Sequence, residues 1–202
     1  GEKAGAVLVG VGATAMLRNC TFERNQGRLG GGAVASSGDL TVKACRFKDN
    51  ASEAGSGSAI ASIKMYAATI PMATVAITGS EFEGNVGRGG AVAIGKGGMT
   101  MLARSVFREN IASDTGGALW LAGGVETISD CSFLSNAAGI IGGAIHVRKT
   151  STGIRRLMNT LFRENSAVGS AGAMAVEDSV GLLDNVTFER NRAGLDGGAL
   201  FI

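Results

Sequence analysis

The side chains that could perform acid–base or metal chemistry are few and scattered. The chain of 202 residues has a single histidine, His146, three cysteines and 17 acidic residues. A His-based catalytic triad or a zinc site needs several such groups within reach of one another, and no Cys-x-x-Cys pair is present. A net charge of +2 argues against a dedicated nucleic-acid-binding protein. We therefore expect no metal, no cofactor and no nucleic-acid partner.

The charged residues recur as pairs of opposite sign inside a Phe-x-x-Asn motif. These pairs are Glu23-Arg24, Lys48-Asp49, Arg108-Glu109, Arg163-Glu164 and Glu189-Arg190. Their order often inverts from one copy to the next, which predicts Glu23 beside Lys48 and Glu83 beside Arg108 if the copies stack. Opposite charges on neighbouring strands stabilise a sheet. We expect no stack that combines two carboxylates with a histidine or arginine for catalysis, and we interpret the pairs as structural.

Two motifs alternate along the whole chain and must position every other side chain. Phe-x-x-Asn occurs seven times, at intervals of 25 to 35 residues. Its members are Phe22, Phe47, Phe82, Phe107, Phe133, Phe162 and Phe188, with Asn25, Asn50, Asn85, Asn110, Asn136, Asn165 and Asn191. A Gly-Gly-Ala-aliphatic motif follows most of these asparagines, at 31–34, 89–92, 116–119, 142–145 and 197–200. Self-similarity at this period is typical of repeat architectures.

Aligned copies predict where the side chains point. An aliphatic residue lies five positions before each Phe, and a small residue lies two positions before it. The two residues are therefore three positions apart, which is an odd step. On a straight strand they would face opposite sides. Both have inward-facing character, so the backbone must bend between them, where turn formers such as Asn19 and Gly79 lie. After each motif Ala, apolar residues alternate with a period of two, which predicts that the Ala faces outward.

Three short strands per repeat of about 26 residues make one closed circuit around a thin core. We therefore predict an all-β fold over residues 1–202, a single-stranded parallel β-helix (solenoid) of about seven to eight rungs. Crossover preference makes it right-handed. The phenylalanines should stack, the asparagines should form a hydrogen-bonded ladder, and Gly-Gly should supply corners with positive φ. Both ends lie within the pattern, so we expect one domain from a longer protein.

A row of larger side chains is the first candidate contact surface. His146 lies two residues after a motif Ala, and Trp120 and Phe201 occupy the same place in other copies. The alternation places this row outside, where exposed aromatic residues suit contact with a sugar or a protein. The alternative is an Ala-rich face covered by another segment of the parent protein.

Two inserts, at 64–73 and 148–156, break the period. The second is basic and gives a second candidate surface, Arg148, Lys149, Arg155 and Arg156. Loops on solenoids often carry function. This insert is either a solvated loop or a contact for an acidic partner or a polysaccharide.

Cys20 and Cys45 occupy the same place in consecutive copies. Strands that pair lie about 4.8 Å apart, which falls within the Cα distances of disulfides. Small buried free thiols explain the pattern equally well, and the sequence leaves both readings open.

The alternation of Phe-x-x-Asn with Gly-Gly-Ala-aliphatic resembles the repeat of the chlamydial polymorphic membrane proteins. The most similar copy joins Phe188-Glu189-Arg190-Asn191 to Gly197-Gly198-Ala199-Leu200. The resemblance implies a right-handed β-helical surface protein with a role in adhesion or surface structure.

The first functional hypothesis is a non-enzymatic β-helical scaffold, adhesive or structural, that acts through its lateral surface. The resemblance implies a location at the cell surface, in the outer membrane or outside the cell. Its partners would be other segments of the parent protein, partner subunits, or a host-cell or glycan surface. The alternatives are a carbohydrate-active β-helix enzyme similar to pectate lyase and a glycan-binding module that uses the Trp120 row.

Overall fold

The computed structural model describes residues 3–62, 73–95, 99–148, 153–177 and 179–202. Within these ranges the chain is a parallel β-solenoid of about seven turns with about 26 residues per turn, as the repeat predicts. Every element in the described ranges is a β-strand. The strands form three sheets, so one turn of the solenoid, which we call a rung, contributes to each sheet in order. The handedness stays a prediction.

The first sheet contains the strands that follow the Gly-Gly-Ala motifs. It consists of β1 (Val7–Val9), β5 (Val34–Ser36), β9 (Ile60–Ser62), β13 (Val92–Ile94), β17 (Leu119–Leu121), β21 (Ile145–Val147), β24 (Met174–Val176) and β27 (Leu200–Phe201). All neighbours pair in parallel, with the aliphatic residue after each motif Ala in register. We call this the strip sheet.

The second sheet contains the Phe strands and the strands before them, and we call it the ladder sheet. The preceding strands are β2 (Thr14–Arg18), β6 (Asp39–Lys43), β10 (Val75–Thr78), β14 (Met99–Ala103) and β18 (Val125–Ser129). The Phe strands are β3 (Thr21–Glu23), β7 (Arg46–Lys48), β11 (Glu81–Glu83), β15 (Val106–Arg108) and β19 (Ser132–Leu134). The long strands β22 (Ile154–Arg163) and β25 (Val180–Glu189) span both halves and so join them into one sheet.

The third sheet connects the Asn of each rung to the strip sheet. Its strands are β4 (Gln26–Gly27), β8 (Ala51–Ser52), β12 (Val86–Gly89), β16 (Ile111–Thr115), β20 (Ala137–Ala138), β23 (Ser166–Ala167) and β26 (Arg192–Ala193). They also pair in parallel between successive rungs.

The bends that the sequence requires fall where the odd step predicts them. The residue three before each motif Phe has a positive φ, from Asn19 at 53° to Asn185 at 50°. A second column with positive φ lies two residues after each Phe, for example Arg24 and Glu109. The Gly-Gly corner is partly as predicted, because Gly90, Gly116, Gly142 and Gly197 have a positive φ and so does Ala171.

The seven motif phenylalanines form one continuous stack in the core. Their ring centroids lie 4.5–5.1 Å apart and the rings are nearly parallel. The five inner ones, from Phe47 to Phe162, are fully buried, whereas Phe22 and Phe188 in the outer rungs are half-buried. The predicted Phe column is therefore confirmed, and its geometry follows directly from the strand spacing.

The asparagine ladder is also confirmed. Each Oδ1 from Asn50 to Asn191 accepts two hydrogen bonds, from the backbone N–H and from Nδ2 of the Asn one rung earlier, at 2.9–3.1 Å. The other Nδ2 hydrogen donates to the carbonyl of the Phe one rung earlier, as from Asn136 to Phe107 at 3.1 Å. The inner amides are buried and fully satisfied, which removes the cost of burying them.

The small residues two before each Phe form a second ladder that the sequence did not predict. Ser80 Oγ accepts the N–H of Cys45 at 3.1 Å and donates to the carbonyl of Thr78 at 3.0 Å. Ser105 repeats the arrangement one rung later. The hydroxyls of Ser80, Ser105 and Thr160 donate to backbone carbonyls at the bend, so these residues are small and polar for a hydrogen-bonding reason as well as for space.

The three cysteines are free thiols in the same column. Cys20 is half-buried, and Cys45 and Cys131 are buried. Burial raises the pKa of the Cys45 thiol, and it raises that of Cys131 to about 12. A thiol is unreactive where its thiolate is disfavoured, so Cys45 and Cys131 act as packing groups here.

The opposite-sign pairs stack as predicted. Glu23 lies beside Lys48 in register, and Arg108 donates to Glu83 across adjacent rungs at 3.1 Å. Glu83 also accepts a hydrogen bond from Arg46 at 2.7 Å. The Arg46 hydrogen bond is the main reason that the pKa of Glu83 falls to about 2.

One prediction about side-chain direction is wrong. The motif alanines were expected to face outward, yet Ala33, Ala59, Ala91, Ala118, Ala144 and Ala173 are fully buried in the hydrophobic core. The backbone N–H of the Ala and that of the next residue often share one carbonyl acceptor, as Ala33 and Val34 share that of Ala59. The chain therefore turns at the Ala, and two consecutive side chains enter the core.

Candidate functional site

The outward column of the strip sheet is continuous through all its strands. It consists of Leu8, Ala35, Ala61, Ala93, Trp120, His146, Ala175 and Phe201, paired in register rung by rung, and we call it the strip. Trp120 and His146 lie side by side on β17 and β21, as predicted. None of the strip residues belongs to the hydrophobic core cluster.

The strip is not the exposed row that the sequence predicted. His146 is 4% exposed, the alanines from Ala35 to Ala93 and Ala175 are at most 1% exposed, and Trp120 is half-buried. Only the end members are open, Leu8 at 51% and Phe201 at 43%. The expectation of exposure is therefore wrong for His146 and partly wrong for Trp120.

The segments that lead from the third sheet into the strip sheet cover the strip. A Cβ added to Gly30 would lie 3.3 Å from the Cβ of Ala35, and one added to Gly142 would lie 3.1 Å from the Cβ of His146. Gly30, directly before the 31–34 motif, and the motif glycine Gly142 therefore allow the chain to approach the strip closely. The chain itself covers the alanine part of the strip.

The cover opens at the rungs where the strip changes from alanine to large side chains. A cavity of about 330 Å³ lies there, lined among others by Arg88, Asp114, Trp120, Ile140, His146 and Arg148. We call it the Trp120 cleft. Gly89 lies next to Trp120, since a Cβ added to it would be 3.7 Å from Cγ of the indole. The volume falls in the range typical of small-molecule sites, about 300–1,000 Å³.

His146 forms one wall of the Trp120 cleft and is held by Glu177. Its Nε2 lies 2.9 Å from Oε1 of Glu177, and burial lowers the pKa of the imidazole although the carboxylate opposes this. An ionised carboxylate only accepts hydrogen bonds, so we assign the proton to Nε2. Nδ1 is then an acceptor, and it is buried without a hydrogen-bond partner among the residues that the structure describes.

The charged residues of the cleft come from different rungs and sheets. Arg88 on β12 donates through Nε to Asp114 on β16 at 2.7 Å, and Arg88 is exposed whereas Asp114 is half-buried. Arg148 follows β21 and is exposed. Within the described ranges no ion pair involves Arg148, and its charge contributes to lowering the pKa of His146.

The basic insert does not form one patch. Arg148 lines the Trp120 cleft, whereas Arg155 donates to Glu126 on the ladder sheet at 3.2 Å. Arg156 is exposed on β22. Lys149 lies outside the described residues, as do most of the insert at 64–73 and its Met65, Tyr66 and Pro71.

Sequence reasoning missed that His146, Glu177, Arg148, Arg88 and Asp114 gather around one strip position. The sequence pattern could have located two of these residues on the strip face. Arg148 lies two residues after His146, and Glu177 lies two after Ala175, so strand alternation places both on the strip face. Arg88 and Asp114 carry no such signal, because they reach the cleft from another sheet.

The described residues contain no group of three or more His, Cys, Asp or Glu that could hold a metal ion. In the same ranges, no helix offers the length and apolarity needed to cross a membrane.

Comparison with protein families gives a match at the end of the chain. Residues 185–202 match the Chlamydia polymorphic membrane protein repeat. The matched segment contains Phe188 on β25, Asn191 directly before β26, and Gly197-Gly198-Ala199 directly before Leu200 on β27. The match covers 18 of the 202 residues, and the same two motifs form the corresponding strands in earlier rungs.

Two further comparisons found nothing similar. The search of curated proteins and the search of solved structures gave no significant match to this chain.

Proposed function

We propose that this chain is a non-enzymatic β-helical scaffold of a cell surface, which binds its partner through its lateral surface. The match to the polymorphic membrane protein repeat supports a surface-related β-helical protein, at the outer membrane or the cell surface. The adhesive role and the absence of catalysis are parts of the proposal.

The observation that carries the proposal is the position of the Trp120 cleft. In a solenoid each rung contacts only its neighbours, and binding uses the extended lateral surfaces. The Phe and Asn columns repeat in all seven rungs, whereas the strip opens into a cleft at Trp120 and His146. A half-buried Trp beside exposed charged groups is the composition from which interaction hot spots are built.

Binding to cells tests the proposal. The purified, fluorescently labelled chain should bind to cultured epithelial cells saturably, and unlabelled chain should compete. Trp120→Ala should reduce this binding at least tenfold, whereas Met16→Ala, a change at an exposed ladder-sheet side chain remote from the strip, should leave it unchanged. No saturable binding would contradict the adhesive role.

A turnover assay tests the non-enzymatic part. We expect no release of reducing ends or unsaturated products when the chain is incubated with polyuronides or neutral polysaccharides. Turnover that Glu177→Gln or Asp114→Asn abolishes would overturn this part and favour a carbohydrate-active enzyme.

A further inference from the structure

The Trp120 cleft has features that select the chemistry of its ligand. Trp120 is the only tryptophan of the chain, and it is half-buried, so part of its side chain is open to solvent. A flat aromatic surface suits the apolar face of a sugar ring, while the polar atoms of the sugar reach the charged residues around it. Ile140 adds an exposed apolar side chain to the lining.

The charges of the cleft favour a ligand with a single negative group. The lining holds two arginines and Asp114, and Glu177 lies next to the lining residue His146, so the ligand is selected by the one exposed arginine without an ion pair among the described residues and not by a net positive charge. Arg88 is already paired with Asp114 through Nε. The exposed Arg148 is thus the guanidinium best placed to hold a carboxylate, and such pairs are bidentate and strong. A polyanion would require a larger excess of positive charge.

The backbone around the cleft argues against a peptide that binds by strand addition. An extended peptide binds by adding a strand to a free sheet edge. β17 is paired with β13 on one side and with β21 on the other, so no edge is open next to Trp120. Recognition has to come from side chains, which is how short saccharides are held.

We propose that the Trp120 cleft binds a carboxylate-bearing sugar, with Trp120 against the pyranose ring and Arg148 on the carboxylate. This assignment rests on the proposed function, because it specifies what the lateral surface recognises.

The fluorescence of Trp120 gives a direct test, because no other tryptophan contributes. The probe is a disaccharide of glucuronate and N-acetylglucosamine, and the matched control is the same disaccharide with its carboxylate reduced to an alcohol. We expect a saturable change in Trp120 emission with the acidic form and binding at least tenfold weaker with the reduced form.

Two arginine variants locate the carboxylate. Arg148→Gln should weaken binding of the acidic form about tenfold or more, and Arg156→Gln, in the same basic insert but on β22, should bind as the parent chain does. A flat titration, equal binding of both sugar forms, or equal losses in both variants would overturn the assignment. If the labelled chain still binds cells while the titration is flat, the sugar assignment fails and the proposed function stands.

Discussion

The Phe–Asn side and the strip side of the solenoid follow different rules. On the ladder sheet every rung repeats the same Phe, and each ring stacks on the next at 4.5–5.1 Å. On the strip sheet the outward residue changes from Ala93 to Trp120 to His146 to Ala175 within four rungs. Both columns are equally regular in backbone register, so the difference lies in what each side chain contacts.

The cause of the difference is the partner of each residue. A ladder Phe or Asn contacts its own kind one rung away, so one change disturbs two neighbours at once. A strip residue contacts the glycine segment that returns from the third sheet, as Ala35 contacts Gly30. A change there is accommodated by opening the cover, which is what happens at Trp120. Stability therefore depends mainly on the ladder side, and recognition can vary on the strip side.

The largest effect should come from the Phe stack. Phe133→Ala removes a fully buried ring from the middle of the stack and should lower the free energy of unfolding by about 3–5 kcal/mol. Phe201→Ala, on the strip at 43% exposure, should cost less than about 1 kcal/mol. Urea unfolding followed by circular dichroism measures both. Equal losses of unfolding free energy in the two variants would contradict the statement that stability depends mainly on the ladder side.

The next effect should come from the Asn ladder. Asn136→Ala removes four hydrogen bonds, leaving Asn110 and its neighbours with unpaired buried groups, and should cost about 1–3 kcal/mol. Asn191→Ala is the matched control, because Asn191 is half-buried in the terminal rung and water can replace its bonds. If urea unfolding gives the same loss of unfolding free energy for Asn191→Ala as for Asn136→Ala, the contribution of a ladder Asn to stability does not depend on its burial.

Trp120→Ala should have a smaller effect on stability. The side chain is half-buried and outside the core cluster, so we expect a loss of about 1 kcal/mol. The same urea protocol checks this value, and a loss comparable to that of Phe133→Ala would identify Trp120 as a core residue.

The smallest effect concerns Glu83 and depends on pH. Its arginine partners lower its pKa to about 2, so the folded state favours the ionised carboxylate. The resulting stability is present above the ordinary pKa of 4.5 and is lost as the pH falls towards 2. Glu83→Gln should lose less stability than the parent chain between pH 5 and pH 2 in urea unfolding. Parallel pH profiles would contradict the role of the Arg46–Glu83–Arg108 cluster.

The contacts of the ladder side could be predicted from the sequence because each Phe or Asn contacts the equivalent residue of the next rung. The period alone places Phe82 on Phe107 and Asn85 on Asn110, and the odd step before each Phe locates the bend at residues such as Asn19. The strip side could only be predicted in part. Alternation gave the register of Trp120 and His146, but their cover depends on how closely Gly89 and Gly142 approach.

The composition of the cleft was beyond sequence reasoning for a similar reason. Arg88 and Asp114 lie on the third sheet, and no spacing relates them to Trp120. The direction of the motif alanines was misjudged because a strict period of two was extended across a turn. A corner breaks that period, so Ala144 and Ile145 both enter the core.

The most direct test of this division is cell binding, measured at a temperature where all variants are folded, for the parent chain, Asn136→Ala and Trp120→Ala. The account predicts that Asn136→Ala binds with the parent affinity despite its lower stability, and that Trp120→Ala, the more stable of the two variants, loses binding at least tenfold. Binding that falls with stability across the three proteins, or that survives in Trp120→Ala, would contradict the account.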